Sequence, residues 1–330
     1  MGGEYTQPTN AWVRLNGVMN SRLFPALLLA VTVLFILTGC VRYEDGDAAF
    51  RKGDYATAFD KWRLLAKYGD AKAQNELGWL YQQGLGTEPD LSASVQWYRK
   101  AATQGLAVAQ TNLGIMYKDG IGVVRDPREA ARWFELASRQ GDASALNNLG
   151  VLYDKGDGVP EDNRRAVELM SRAAELGHPR AMSNLGLMYK AGEGVPKDVV
   201  TAVKWFRASA EKEDAEGINN LAVMLDQGLG VSADRNAAMA LFEKAARRGE
   251  ASAAFNFSQM LLRDIASGTA KATTRDAQRT ERLLLAYSWL NVAASLGHSD
   301  AVWRRELVGS ELSAAEIASA QAKSIELATR

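Results

Sequence analysis

The sequence predicts an all-α fold of about six antiparallel helix pairs, and three observations predict it. Residue columns recur every 36 positions, apolar side chains within each unit fall at helical spacing, and Gly, Pro and Asp punctuate the points where helices stop and start. Composition bounds the function. A hydrophobic content of 47% across 330 residues is enough to bury a core and excludes a disordered chain. Thirty-nine basic and 39 acidic residues leave no global charge for nucleic acid. One cysteine excludes a disulfide framework or a cysteine-cluster zinc site. The two histidines, His178 and His298, lie too far apart in sequence to suggest a His-rich metal site.

The first element, residues 1–39, reads as an export signal. Leu23 to Leu37 is an apolar run preceded by Arg14 and Arg22, with small residues Thr38 and Gly39 after it. A helix of 15 residues spans roughly 22 Å, short for a ~30 Å hydrocarbon core. Translation can start at Met1 or Met19. Leu37-Thr38-Gly39-Cys40 resembles the lipobox of bacterial lipoproteins. That resemblance implies cleavage between Gly39 and Cys40 and acylation of Cys40, with two or three chains giving a stable anchor. Val41 in place of Asp implies no retention at the inner membrane, so the expected location is the outer membrane, facing the periplasm. Removing Glu4, Arg14 and Arg22 leaves 37 basic and 38 acidic side chains on the exported part.

Residues 40–46 read as a lipidated linker. Residues 47–70 read as a half-repeat carrying only a second helix, with Tyr55, Trp62 and Leu65 before Gly69. Residues 71–250 then hold five units of 36. Leu77-Gly78, Leu113-Gly114, Leu149-Gly150 and Leu185-Gly186 keep that step, as do the columns that begin at Tyr81, Gly84 and Asp90.

One unit shows the logic. Asp142 is placed to cap a helix whose face is Ala145, Leu149, Leu152 and Tyr153, and Gly156 ends it. After Gly158-Val159-Pro160, Asp162 caps a second helix burying Ala166, Leu169, Met170 and Ala173, which ends at Gly177. Asp126-Pro127-Arg128-Glu129 combines a proline at the first helical position with an acid placed for a capping box. Each mid-helix glycine costs about 1 kcal/mol relative to Ala. Its recurrence predicts a neighbouring helix backbone within contact, with bulk supplied by Trp97, Trp133 and Trp205 and by the adjoining Tyr98, Phe134, Phe206 and Phe242.

Residues 251–298 form a sixth, degenerate unit with a polar, basic insertion from Ser267 to Arg275, followed by Trp289, Ala293 and Gly297 in second-helix columns. Residues 299–330 are capping helices: Ala301-Val302-Trp303 opens one, and Ser313-Ala314-Ala315-Glu316 is a capping box for another bearing Ile317 and Ile325.

Together the columns Ala-x-x-x-Leu-Gly-x-x-Tyr, Gly-x-Gly-Val, Asp and Trp-Phe-x-x-Ala resemble the Sel-one-like repeat, a relative of the tetratricopeptide repeat. The resemblance implies a right-handed α-solenoid whose concave face binds other proteins. The expected function is a non-catalytic, lipid-anchored scaffold for envelope protein partners, with no cofactor beyond the lipid, no metal and no nucleic acid. A second reading is an assembly factor for alginate-type exopolysaccharide export, whose scaffold resembles this combination of lipobox and repeats. A third, penicillin binding or β-lactamase activity, follows cysteine-rich relatives. It meets the objection that no repeat here contains a cysteine.

No enzyme constellation emerges. The Asp column is explained by capping, and the Gly-x-Gly pairs by helix termination rather than a phosphate loop. The candidate partner surface is a first-helix stripe. Its apolar column is Trp79, Ile115, Val151, Leu187 and Val223, and its short polar column is Asn75, Thr111, Asn147, Ser183 and Asn219. The apolar column can equally pack against the next first helix. The adjoining Asn112, Asn148, Asn184, Asn220 and Asn256 read as structural, bonding backbone between repeats.

Overall fold

The computed structural model describes residues 41–266 and 275–328, all of whose regular structure is helical. The chain divides into two compact units where the sequence reading expects one array. The first takes the described residues to Met116 with Ile121–Val124, and the second Tyr117–Gly120 with Arg125 onward. The first unit contains α1 (Tyr43–Arg51), α2 (Tyr55–Lys67), α3 (Ala71–Gln83), α4 (Leu91–Thr103) and most of α5 (Ala107–Asp119). The second contains α6 (Pro127–Arg139), α7 (Ala143–Lys155), α8 (Asn163–Glu175), α9 (Pro179–Ala191), α10 (Val199–Glu211), α11 (Ala215–Gln227) and α12 (Arg235–Ala246). It continues with α13 (Ala251–Ala266), α14 (Arg275–Ser295), α15 (Ala301–Gly309) and α16 (Ala314–Ala328).

Local chemistry sets each boundary. Asp70, Asp142 and Asp214 cap α3, α7 and α11, accepting from Ala73, Ala145 and Gly217 amides at 2.7–2.8 Å. The other Asp ladder caps α4, α6, α8, α10 and α12. Its backbone does a second job: the amides of Asp90, Asp126, Asp162, Asp198 and Asp234 donate to the carbonyls of Tyr81, Tyr117, Tyr153, Tyr189 and Leu225. That bond closes the loop between the two helices of each of the five repeats, and it corrects the capping box expected at Asp126. The Asp126 amide is already engaged, so Glu129 pairs with Arg132 instead. The box at Ser313 does form, with the Ser313 amide donating to Glu316 at 2.8 Å.

Gly78 and Gly186 face rings rather than the backbone expected from sequence, whereas Gly150 meets both a side chain and a backbone. A Cβ on Gly78 would lie 2.9 Å from the Tyr98 ring, and one on Gly186 2.6 Å from the Phe206 ring. At Gly150 the neighbours are Met170 Cγ at 2.9 Å and the Ala166 carbonyl oxygen at 3.3 Å. Tyr98, Phe134, Phe206 and Phe242 are the fully buried bulk, while Trp97, Trp133 and Trp205 are half-buried.

The Gly-x-Gly loops also need correction, because helix termination accounts only for the first glycine. The second, also at positive φ, docks against the start of the preceding second helix. A Cβ would lie 2.2 Å from the Tyr55 carbonyl oxygen at Gly86, 2.4 Å from the Leu91 oxygen at Gly122 and 2.4 Å from the Pro127 carbonyl carbon at Gly158. Gly194 and Gly230 meet Asn163 and Val199 in the same way. Close backbone approach at a left-handed residue leaves glycine as the residue that fits.

The ends differ from the sequence reading. Residues 43–46, assigned to a linker, are the first turn of α1, so the amino-terminal cap is a helix pair rather than a half-repeat. Gly46 supplies its small position, and a Cβ there would strike the Trp62 indole at 2.4 Å. Residues 267–274 of the insertion lie outside the described residues, and Arg275 already begins the 21-residue α14. Trp289 and Ala293 are buried in the core with Ala320 and Leu327 of α16. Ile325 is 68% exposed, so Leu327 takes the core role expected of it, and Ile317 packs only partly.

Candidate interaction surface

The structure separates the two proposed binding columns. Asn75, Thr111, Asn147, Ser183 and Asn219 are buried, none more than 7% exposed, and so line no groove. They form an internal ladder with the adjoining Asn column. Asn112 Nδ2 donates to Asn75 Oδ1 at 3.0 Å in the first unit. In the second, Asn184 donates to Asn147 at 3.0 Å, Asn220 to Ser183 at 3.1 Å and Asn256 to Asn219 at 3.1 Å. The sequence reading had this column bonding backbone, but the partners are side chains 37 residues earlier. Asn148 is the exception, donating to the Ser144 carbonyl and accepting from Lys118 Nζ. Thr111 Oγ1 has no hydrogen-bond partner among the described residues. Buried amides need mates, and each rung satisfies two of them at once.

The apolar column behaves differently. Trp79, Ile115, Val151, Leu187 and Val223 are all half-buried, whereas the Leu residues two positions earlier in every repeat are buried. In the first unit Trp79 meets Phe50 of α1 edge-on, centroids 5.5 Å apart. In the second, Leu187 and Val223 lie partly over the core clusters of Phe206 and Phe242. Each side chain thus both packs and leaves apolar surface in water on the first-helix face of its unit.

Titratable groups serve structure. His178 caps α9: its Nδ1 accepts from the Ala181 amide at 3.2 Å, and burial pushes its pKa below the usual imidazole value. His298 stacks on Phe255, centroids 4.2 Å apart. Burial raises the carboxyl pKa of Glu76 and of Glu216. Among the described residues there is no cluster of three or more His, Cys, Asp or Glu able to hold a metal, and no helix is long and apolar enough to cross a membrane. Gly39 and Cys40 lie outside the described residues.

Sequence reasoning missed the Asn ladder and the docking glycines. The signal for the ladder was present: two polar columns offset by one position and repeating together are placed to bond across successive units.

The Sel1 repeat family model matches residues 71–106, 107–142, 143–178, 179–214, 215–250 and 280–298. The crystal structure of a Sel1 repeat protein from Oxalobacter formigenes is similar, with 31% identity, a TM-score of 0.67, and coverage of 77% of this chain and 99% of that one. So is c5321, a protective antigen present in uropathogenic Escherichia coli strains, at 31% identity and a TM-score of 0.60. The chain covers 64% of that protein's length, and 87% of this chain is aligned. No curated protein sequence matches the chain.

Proposed function

The chain belongs to the Sel1 repeat family, whose members generally act as protein-interaction scaffolds, and from that premise we propose that it is a non-catalytic scaffold for envelope proteins, tethered by lipid on Cys40. The observation that carries the reading is the half-buried apolar column. Five successive repeats hold Trp79, Ile115, Val151, Leu187 and Val223 partly in water while their neighbours are buried. Within each unit, apolar side chains at the repeat step on the first-helix face suit an extended segment or helix of a protein partner. The tether rests on Leu37-Thr38-Gly39-Cys40, and Val41 favours the outer membrane, facing the periplasm.

A photocrosslinking residue tests the surface. Placed at Val151 or Leu187 in intact cells, it should capture discrete envelope proteins, and placed at the exposed Arg132 of α6 it should not. Equal capture from both faces overturns the assignment. Recovery of glycan synthases would move the reading toward polysaccharide export. Cys40→Ala should release the chain into the soluble fraction, and quantitative retention in membranes would refute the anchor.

A further inference from the structure

A polar cavity of about 400 Å³ opens in the second unit among α6, α7 and α8. Arg139, Arg165 and Arg172 line it beside Glu135, with Leu169 and Tyr153 also in the lining. The sequence departs from its own repeat at its wall. The column that holds Trp97, Trp133 and Trp205 holds the smaller Leu169 in this unit. The guanidiniums are equally particular to the unit. Stepping 36 residues either way, Arg139 becomes Thr103 or Glu175, Arg165 becomes Glu129 or Thr201, and Arg172 becomes Leu136 or Ala208. Structural columns in this chain persist through the repeats, whereas these three change together at one place.

The charges are incompletely matched. Arg165 pairs with Glu168 at 2.6 Å. Arg139 sits 3.8 Å from Glu135, beyond hydrogen-bond length. Arg172 makes no ion pair among the described residues, and the three guanidiniums of the lining share it with one carboxylate, Glu135. A guanidinium offers a planar fork matched to a carboxylate.

We propose that this cavity binds a carboxylate carried on an acidic peptide segment of a protein partner, with Arg172 and Arg139 as its forks. A peptide is favoured over a polyuronate because the lining's aromatic side chain, Tyr153, already packs against apolar neighbours. Leu169 stands in the Trp column, and the Tyr153 ring packs against the Ala166, Met170 and Met188 cluster. The inference rests on the reading of the chain as a protein-binding scaffold.

The test is fluorescence anisotropy with an end-blocked, labelled hexaglutamate peptide and the full chain in non-ionic detergent at low ionic strength. The peptide should bind, and Arg172→Gln should weaken it about tenfold. Leu169→Trp, which restores the residue of the neighbouring repeats, should abolish binding while far-UV circular dichroism still reports the parent's helix content. Arg132→Gln, an exposed cation of α6 paired with Glu129 outside the cavity, should change nothing. Equal losses in Arg132→Gln and Arg172→Gln mean unspecific surface charge and overturn the site. Tighter binding of trigalacturonate or inorganic phosphate than of the peptide overturns the peptide assignment. Crosslinking from Val151 that persists in a chain unable to bind hexaglutamate removes this inference alone, whereas loss of all crosslinking removes the scaffold reading beneath it.

Discussion

Gly186→Ala is the sharpest test of the packing. In α9 the substitution gains about 1 kcal/mol of helix propensity. Against that, the new methyl would stand 2.6, 2.7 and 3.1 Å from Cε1, Cδ1 and Cζ of Phe206. The ring is fully buried and walled by Ala202, Val203, Leu221 and Met224, so it has nowhere to turn. Overpacking of this kind costs ~1–3 kcal/mol, leaving a net destabilisation of roughly 0–2 kcal/mol. Gly150→Ala meets Met170 instead, a chain with several rotatable bonds, and should fall at the lower end of that range or below it. In a Phe206→Leu background the obstacle is gone, and Gly186→Ala should become stabilising by about 1 kcal/mol. Guanidinium unfolding followed by far-UV circular dichroism measures all five proteins, with equal slopes required before free energies are compared. A Gly186→Ala protein about 1 kcal/mol more stable than its parent, or a double mutant without coupling, refutes the pairing of small and aromatic positions.

Further outcomes follow from other contacts. Gly158→Ala should cost more than Gly177→Ala by over ~1 kcal/mol: both sit at positive φ, but only Gly158 has the Pro127 backbone at 2.4 Å; thermal melts compare them. Asn184→Ala should cost ~1–3 kcal/mol because it strands the buried Asn147 carbonyl, and adding Asn147→Ala should cost less than the sum of the single changes. His178 is held below its unfolded pKa, so the unfolded chain takes up its proton first as pH falls. Stability should therefore be full above the unfolded value of 6.5 and decline below it, and His178→Asp, which supplies the cap of neighbouring repeats, should abolish that decline in melts from pH 7.5 to 5.5.

Helix limits and core columns were legible because they are local. An aspartate cap, a glycine stop and Leu149, Leu152 and Ala166 at helical spacing need no knowledge of distant contacts. Interactions one repeat apart were harder. Asn147 reads as a solvent-facing amide until Asn184 is seen to bond it, and Gly158 reads as a loop residue until Pro127 is found beneath it. The amino-terminal pair escaped because α1 is only nine residues long and its loop lacks the Gly-x-Gly signature; Gly46 opposite Trp62 was its one trace. The surface was half legible: periodicity found the stripe, but its burial depends on neighbouring repeats, which left the apolar column half-buried and took the short polar column inside.

The docking glycine makes the number of repeats an adjustable quantity. Gly194 rests on Asn163 and Gly230 on Val199, each on the first residue of the preceding second helix. Excising residues 179–214 would remove Gly186 together with its own Phe206 and deliver Gly230 to Asn163, backbone meeting backbone where side-chain identity is irrelevant. Asn220 would inherit the Asn147 acceptor that Asn184 had used. Such a deletion preserves every type of junction and shortens only the row of apolar side chains offered to a partner. A lineage of these chains can therefore lengthen or shorten its reach by in-frame duplication or loss of 36 codons, without inventing a new interface each time.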